Sequence, residues 1–156
     1  MKLFLLRHGK AAQGVENQKD FDRPLNEKGE KQIKKIGKFL QNQGIEKIVS
    51  SSALRTKQTT KIVNKALEVE DVTFDKSLYL ASSMDIHELI NGLVTAKTML
   101  VVGHNYGISE LIDYYTGNAV VLSTGCMAII EFDVTSSAHF SRFAGTLKEI
   151  VSPKNI

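Results

Sequence analysis

Leu3-Phe4-Leu5-Leu6-Arg7-His8-Gly9 runs four apolar residues straight into a cationic pair and a glycine. The apolar part is too short to cross a bilayer and reads as a strand buried on both faces. Arg7 and His8 then stand at its carboxyl end, where open α/β sheets place their ligands. Gly9 lets the chain turn sharply and lets a ligand approach the backbone.

Outward from that strand the pattern alternates. Residues 10–24 are polar and irregular, a loop over the strand end closed by Arg23-Pro24-Leu25. Asn26 is a good N-cap, with Glu27 and Glu30 favourable in the first turn. Ile33, Ile36, Phe39 and Leu40 recur at helical spacing and predict a helix over 27–42, stopped by Gly44. Ile45 to Val49 reads as a second strand ended by Ser50-Ser51-Ser52. Ser51 or Ser52 is expected to cap a helix carried by Leu54, Ile62, Val63, Ala66 and Leu67. Arg55 then falls in the first turn of a helix that opens at a strand end. Free N–H groups, the helix dipole and a guanidinium make that a ready anion site.

Val72 to Leu80 holds a short extended piece. Ser82 or Ser83 is expected to cap a helix through Asp85, Ile86, Leu89 and Ile90, ending near Gly92. Thr98 to Val102 is a buried strand running into Gly103-His104-Asn105, followed by a helix over 107–116 that Gly117 stops. Thr124 to Phe132 and Phe140 to Val151 read as two more strands, joined by the polar turn Asp133 to Ala138. This order predicts one α/β domain over 1–156. It is a three-layer sandwich with helices on both faces of a mostly parallel sheet, the last two strands adding an antiparallel edge.

The totals exclude several function classes. A formal charge of +3, with no tryptophan and no basic stripe interleaved with aromatics, argues against nucleic acid as a partner. The lysines of 27–38 alternate with acids and apolar residues and read as a solvated helix face. One cysteine rules out an internal disulfide framework and makes a reducing cytoplasm the expected compartment. Arg7 interrupts the first apolar run, so no signal peptide is expected, and no membrane partner.

The strand ends collect a distinctive set of side chains. The first gives Arg7 and His8, the second Ser52 and Arg55, the fourth His104 and Asn105. Two arginines and two histidines on one rim repel each other unless an anion lies between them, and the guanidinium fork suits a phosphoryl group. At this point the chain resembles a family. Leu6-Arg7-His8-Gly9 resembles the signature of the histidine phosphatase, or phosphoglycerate mutase-like, superfamily. The run from Ser51 to Thr59 resembles its second motif and Gly103-His104-Asn105 its third. Within it the chain is most similar to the short SixA-type phosphohistidine phosphatases. Its length leaves little room for a cap insertion, and the stretches Arg23 to Gly29 and Arg142 to Leu147 also resemble that group.

The resemblance implies a phosphoglycerate mutase-like fold and a chemistry. His8 would be the nucleophile and form a phosphohistidine intermediate. It must be neutral to attack, and neighbouring cations disfavour its protonation. Arg7, Arg55 and His104 would bind the equatorial oxygens, with Asn105 as a further substrate contact. No metal or other cofactor is implied, because fixed cations carry the electrostatic work. One departure stands out. Many members carry a glutamate as general acid after the third extended segment, whereas Ser77 to Asp85 holds none. Asp85 is the nearest candidate proton donor, with Glu88 and Asp22 behind it. A phosphoramidate needs less acid help than an ester, so phosphohistidine on a protein partner is the expected substrate. The alternatives are a small-molecule phosphomonoesterase of the same superfamily and a non-catalytic phosphate-binding or docking module. A mutase ranks lower on chain length, and histidine metal binding ranks last, because Arg7 repels a cation.

Blander readings compete for individual residues. Asn105 could simply cap the 107–116 helix, Asp85 could be a first-turn acid, and Lys10 a rim charge. His87 and His139 carry no motif and read as structural or exposed. Cys126 reads as a small core residue.

Overall fold

A computed structural model describes residues 1–93, 96–133 and 140–156. Four strands and four helices alternate before a final strand pair. They are β1 (Lys2–Arg7), α1 (Glu27–Leu40), β2 (Lys47–Ser51), α2 (Leu54–Leu67), β3 (Asp71–Asp75), α3 (Ser83–Leu93), β4 (Thr98–Gly103), α4 (Gly107–Thr116), β5 (Met127–Phe132) and β6 (Gly145–Val151). The six strands form one sheet in the order β3-β2-β4-β1-β5-β6. The pairs β2/β3, β2/β4 and β1/β4 are parallel, while β5 joins β1 and β6 antiparallel. The single-domain α/β sandwich and its antiparallel edge are as the sequence pattern predicts. The turn expected over Asp133 to Ala138 and the residue His139 fall mainly or wholly outside the described residues.

The first strand shows why the fold forms. Leu3 and Leu5 enter one core cluster with Ile86, Ile90, Ile108, Leu111 and Ile112, which belong to α3 and α4. Phe4 and Leu6 enter another with Ile33, Ile36 and Leu40 of α1 and Val63 of α2. The period-two alternation of a strand thus feeds both layers. All four side chains are fully buried, which at about 2 kcal/mol each anchors the centre of the sheet. No helix among the described residues is long and apolar enough to cross a membrane.

Helix α1 begins as expected, with the Asn26 side chain accepting from Gly29 N–H at 2.8 Å. Helix α2 does not. Its N-cap is Ala53, and neither Ser51 nor Ser52 caps it. Strand β2 runs two residues further than its apolar pattern, so Ser50 and Ser51 lie inside it and are fully buried. The Ser50 hydroxyl bonds the Ser51 carbonyl, so a polar residue sits in the strand without an orphaned group.

Gly9 and Gly29 carry a close approach rather than a turn. A Cβ on Gly29 would lie 2.2 Å from the Lys10 carbonyl oxygen, and one on Gly9 2.7 Å from Ile33. Two facing glycines let α1 rest directly on the loop that leaves β1.

Candidate active site

Register brings the predicted residues together. Arg7 pairs with Gly103 across β1/β4, and Ser50 with Val102 across β2/β4. The carboxyl ends of three parallel strands therefore finish level, and His8, Ser51 and His104 meet at one rim. The rings of His8 and His104 stand 5.2 Å apart. Both are buried, as is Arg55, which reaches in from the first turn of α2.

The hydrogen bonds fix the His8 tautomer. Its Nδ1 lies 2.7 Å from the Gly9 carbonyl, which only accepts, so Nδ1 carries the proton. Its Nε2 therefore presents a lone pair, and it accepts from Arg55 Nε–H at 3.2 Å. Burial first, then the Arg55 and Arg7 guanidinium groups, pushes the His8 pKa down to about 4, despite the opposing Gly9 bond. His8 is thus neutral at pH 7, the state a nucleophile requires.

His104 has a matching logic. Its Nε2 lies 2.9 Å from Ser51 Oγ, which also accepts from Ala53 N–H. The Ser51 hydroxyl proton finds its acceptor in Nε2, which leaves Nδ1 as the N–H donor. Burial, His8 and Arg55 push the His104 pKa down to about 3. Among the described residues, His104 Nδ1 and Arg7 Nε are buried without partners. Buried donors are rarely left so, and these two belong to residues that line one cleft.

That cleft has a volume of about 310 Å³ and is lined by Arg7, His8, Lys10, Arg23, Arg55, His104 and Asn105, among others. No aspartate or glutamate is in its lining. Four cations around two neutral imidazoles make the cleft a receptacle for an anion.

Asn105 lies on the cleft wall with both ends of its amide engaged. Nδ2 donates to the Leu122 carbonyl at 2.8 Å, and Oδ1 accepts from Ser109. Arg7 Nη1 donates to the same Leu122 carbonyl, so Asn105 shares an anchor with a cleft arginine. It does not cap α4, whose N-cap is Tyr106. The structure does not bring Asp85 into this group. Its carboxylate accepts from Ser82 N–H and Oγ–H, while its own N–H donates to Ser82 Oγ. Asp85 and Glu88 instead line a separate hollow of about 550 Å³ that contains none of the four predicted residues. Local capping satisfies Asp85 where it stands. Asp22 is exposed on the loop.

The carboxylate that does reach the cluster is Asp20, which the sequence reading missed. Its Oδ2 accepts from Arg55 Nη2 at 3.0 Å and from the Tyr79 hydroxyl, and Oδ1 accepts from Arg23 at 2.9 Å. The Asp20 carbonyl takes Arg55 Nη1 at 2.7 Å. The Tyr79 bond, with those from Arg23 and Arg55, holds this carboxyl far below the usual range, so it stays ionised and is no proton donor. Tyr79 also packs edge-on to His104. The available signal was Asp20 three residues before Arg23, inside the loop that covers the end of the first strand. Nothing in the pattern fixed where that loop would fold.

The family model for histidine phosphatase superfamily, branch 1, matches residues 3–79. The protein from Salmonella arizonae assigned as phosphoglycerate mutase GpmB is 38% identical over 80 residues, which is 50% of this chain and 37% of that one. The chain thus matches little over a third of the length of such curated relatives. A structure assigned as phosphohistidine phosphatase SixA from Agrobacterium tumefaciens superposes at TM-score 0.85 with 25% identity, covering 97% of each chain. The protein histidine phosphatase SixA complexed with tungstate superposes at 0.85 with 22% identity, covering 99% of each. The chain belongs to the histidine phosphatase superfamily, and its fold is SixA-like.

Proposed function

We propose that this protein is a metal-independent phosphatase that works through a phosphohistidine intermediate on His8, with phosphohistidine on a protein partner as its substrate. The observation that carries the reading is the neutral His8 imidazole, with its Nε2 lone pair held among guanidinium groups. Nε2 attacks phosphorus as Arg55 Nε–H moves from the lone pair to a phosphoryl oxygen. The N–P bond forms at His8 while the substrate P–N bond breaks, and the departing imidazole takes a proton from solvent. Water then attacks the phosphorylated His8. Phosphate leaves, the water's second proton passes to solvent, and Nε2 regains its pair. Arg7, Arg55 and His104 line the cleft and are the groups that would bind the equatorial oxygens.

Two features favour a P–N donor on a protein. The cleft lining holds no carboxyl group to protonate an alcohol, which an imidazole leaving group needs less. Leu80, Tyr106 and Val121 are 57%, 69% and 70% exposed, on segments adjoining the cleft, as suits contact with a folded surface. The SixA neighbours support the same substrate class. A small-molecule phosphomonoesterase is the second reading, supported only by the partial match to a relative named for a small phosphate ester, phosphoglycerate.

The test compares kcat/KM on a phosphohistidine protein with that on sugar phosphates and an aryl phosphate, with chelator present and His8→Ala as control. The reading expects strong preference for phosphohistidine, lost in the variant. Preference for the esters would transfer the protein to the second reading. Phosphate binding without turnover would make it a docking module.

A further inference from the structure

A second hollow adjoins the cleft. It has a volume of about 280 Å³ and shares Lys10 and Thr124 with the cleft wall. Lys10, Lys28 and Lys154 line it together with the hydroxyl residues Ser123, Thr124 and Ser152, and no acid is in the lining. Among the described residues none of these three lysines is ion-paired, as holds for most lysines of the chain, and what sets them apart is that they line one hollow without an acid. The lysines come from three separate segments, and the backbone at Lys10 and beside Lys154 is tied down. Lys10 N–H donates to Gln32 Oε1, and Gly125 lies close enough to Gln32 that an added Cβ would be 3.1 Å away. Lys35 Nζ bonds the Pro153 carbonyl beside Lys154. Lys10 is two residues from His8, so their Cα atoms are within about 8 Å.

We infer that this hollow is a second anion subsite that takes carboxylate side chains flanking the phosphohistidine of an acidic protein partner. The inference rests on the reading of His8 as a phosphohistidine phosphatase and deepens it. Three unpaired ammonium groups without a local counter-charge attract an anion, and ammonium and hydroxyl donors suit a carboxylate. The wall shared at Lys10 and Thr124 means that one extended segment reaches both places. The exposed apolar residues on segments adjoining the cleft favour a folded protein over a bisphosphorylated metabolite as carrier of the second charge.

The test uses two phosphohistidine peptides that differ only in flanking residues, aspartates in one and asparagines in the other. Fructose 1,6-bisphosphate and fructose 6-phosphate form a second pair. The wild-type protein is expected to show about tenfold higher kcat/KM on the aspartate peptide, mostly in KM, an advantage that shrinks between 50 and 300 mM salt. The double variant Lys28→Ala/Lys154→Ala is expected to reduce that ratio to near one. Lys28→Glu/Lys154→Glu is expected to invert it. Equal wild-type turnover of the two peptides, or an equal fall on both in the variants, would overturn the subsite and leave the function of His8 standing. A gain confined to the bisphosphate would overturn the acidic protein as the occupant. Turnover of neither peptide would overturn the phosphohistidine reading and the subsite with it.

Discussion

Helices α1 and α2 both start beside the carboxyl ends of strands, and they start differently. Helix α1 follows every local rule. Asn26 caps it, Glu27 and Glu30 sit in its first turn, and Gly29 lets it lie on the β1 loop. Helix α2 has no side-chain cap and no first-turn acid, and its first turn turns Arg55 and Thr56 inward. Of the two serines expected to cap it, Ser51 bonds His104 and the Ala53 N–H instead. Where a local rule is broken without local gain, the residues serve something else. Here the first helix start serves the fold, and the second serves the chemistry proposed for His8.

Substitutions on the two sides should separate these roles. Arg55→Ala is expected to lower kcat on a phosphohistidine substrate by about 10²- to 10³-fold, because it removes a donor to developing charge. Acid is expected to act through the two site imidazoles. His8 and His104 bind protons near pH 4 and 3 when folded, against about 6.5 unfolded, so the unfolded chain takes up protons first. Stability therefore falls as pH drops from 6.5 towards 4.5, by up to about 2.5 kcal/mol for each ring. Denaturant titrations across that range check it, and His104→Gln should remove part of the slope.

On the α1 side, Gly29→Ala drives a Cβ into the Lys10 carbonyl and is expected to cost about 2–3 kcal/mol in urea unfolding. Ser51→Ala frees the His104 tautomer. We expect kcat to fall about tenfold, equivalent to ~1.4 kcal/mol, and the ¹⁵N shifts of His104 to report mixed tautomers. A merely structural role for Ser51 would leave those shifts unmoved. Asn26→Ala is the smallest change, about 1 kcal/mol of stability with kcat unaltered.

The contrast also explains what could be read from the chain. The apolar run Leu3 to Leu6 and the helical spacing of Ile33, Ile36 and Leu40 are core positions, and core periodicity yielded the element order and the parallel sheet. Arg7, His8, Arg55 and His104 sit at element ends, so placing the elements placed them. Ser51 and Ser52 look like caps in sequence because polar residues at a strand end read as terminal, yet Ser51 is buried inside β2 and the N-cap is Ala53. Asp20, Arg23 and Tyr79 arrive on loops, and no periodicity encodes where a loop folds back. Asp85 was a reasonable proton donor by position, yet its bonds with Ser82 are those of an ordinary helix start.

The claim at the centre of this account is a neutral His8 attacking through Nε2. The most direct measurement is rapid-quench trapping with a ³²P-phosphohistidine protein substrate, followed by mapping of the labelled residue. The account predicts an acid-labile, base-stable label on His8, formed before phosphate release and absent from His8→Ala. Rapid turnover with no label on His8, or with undiminished activity in the variant, would contradict it.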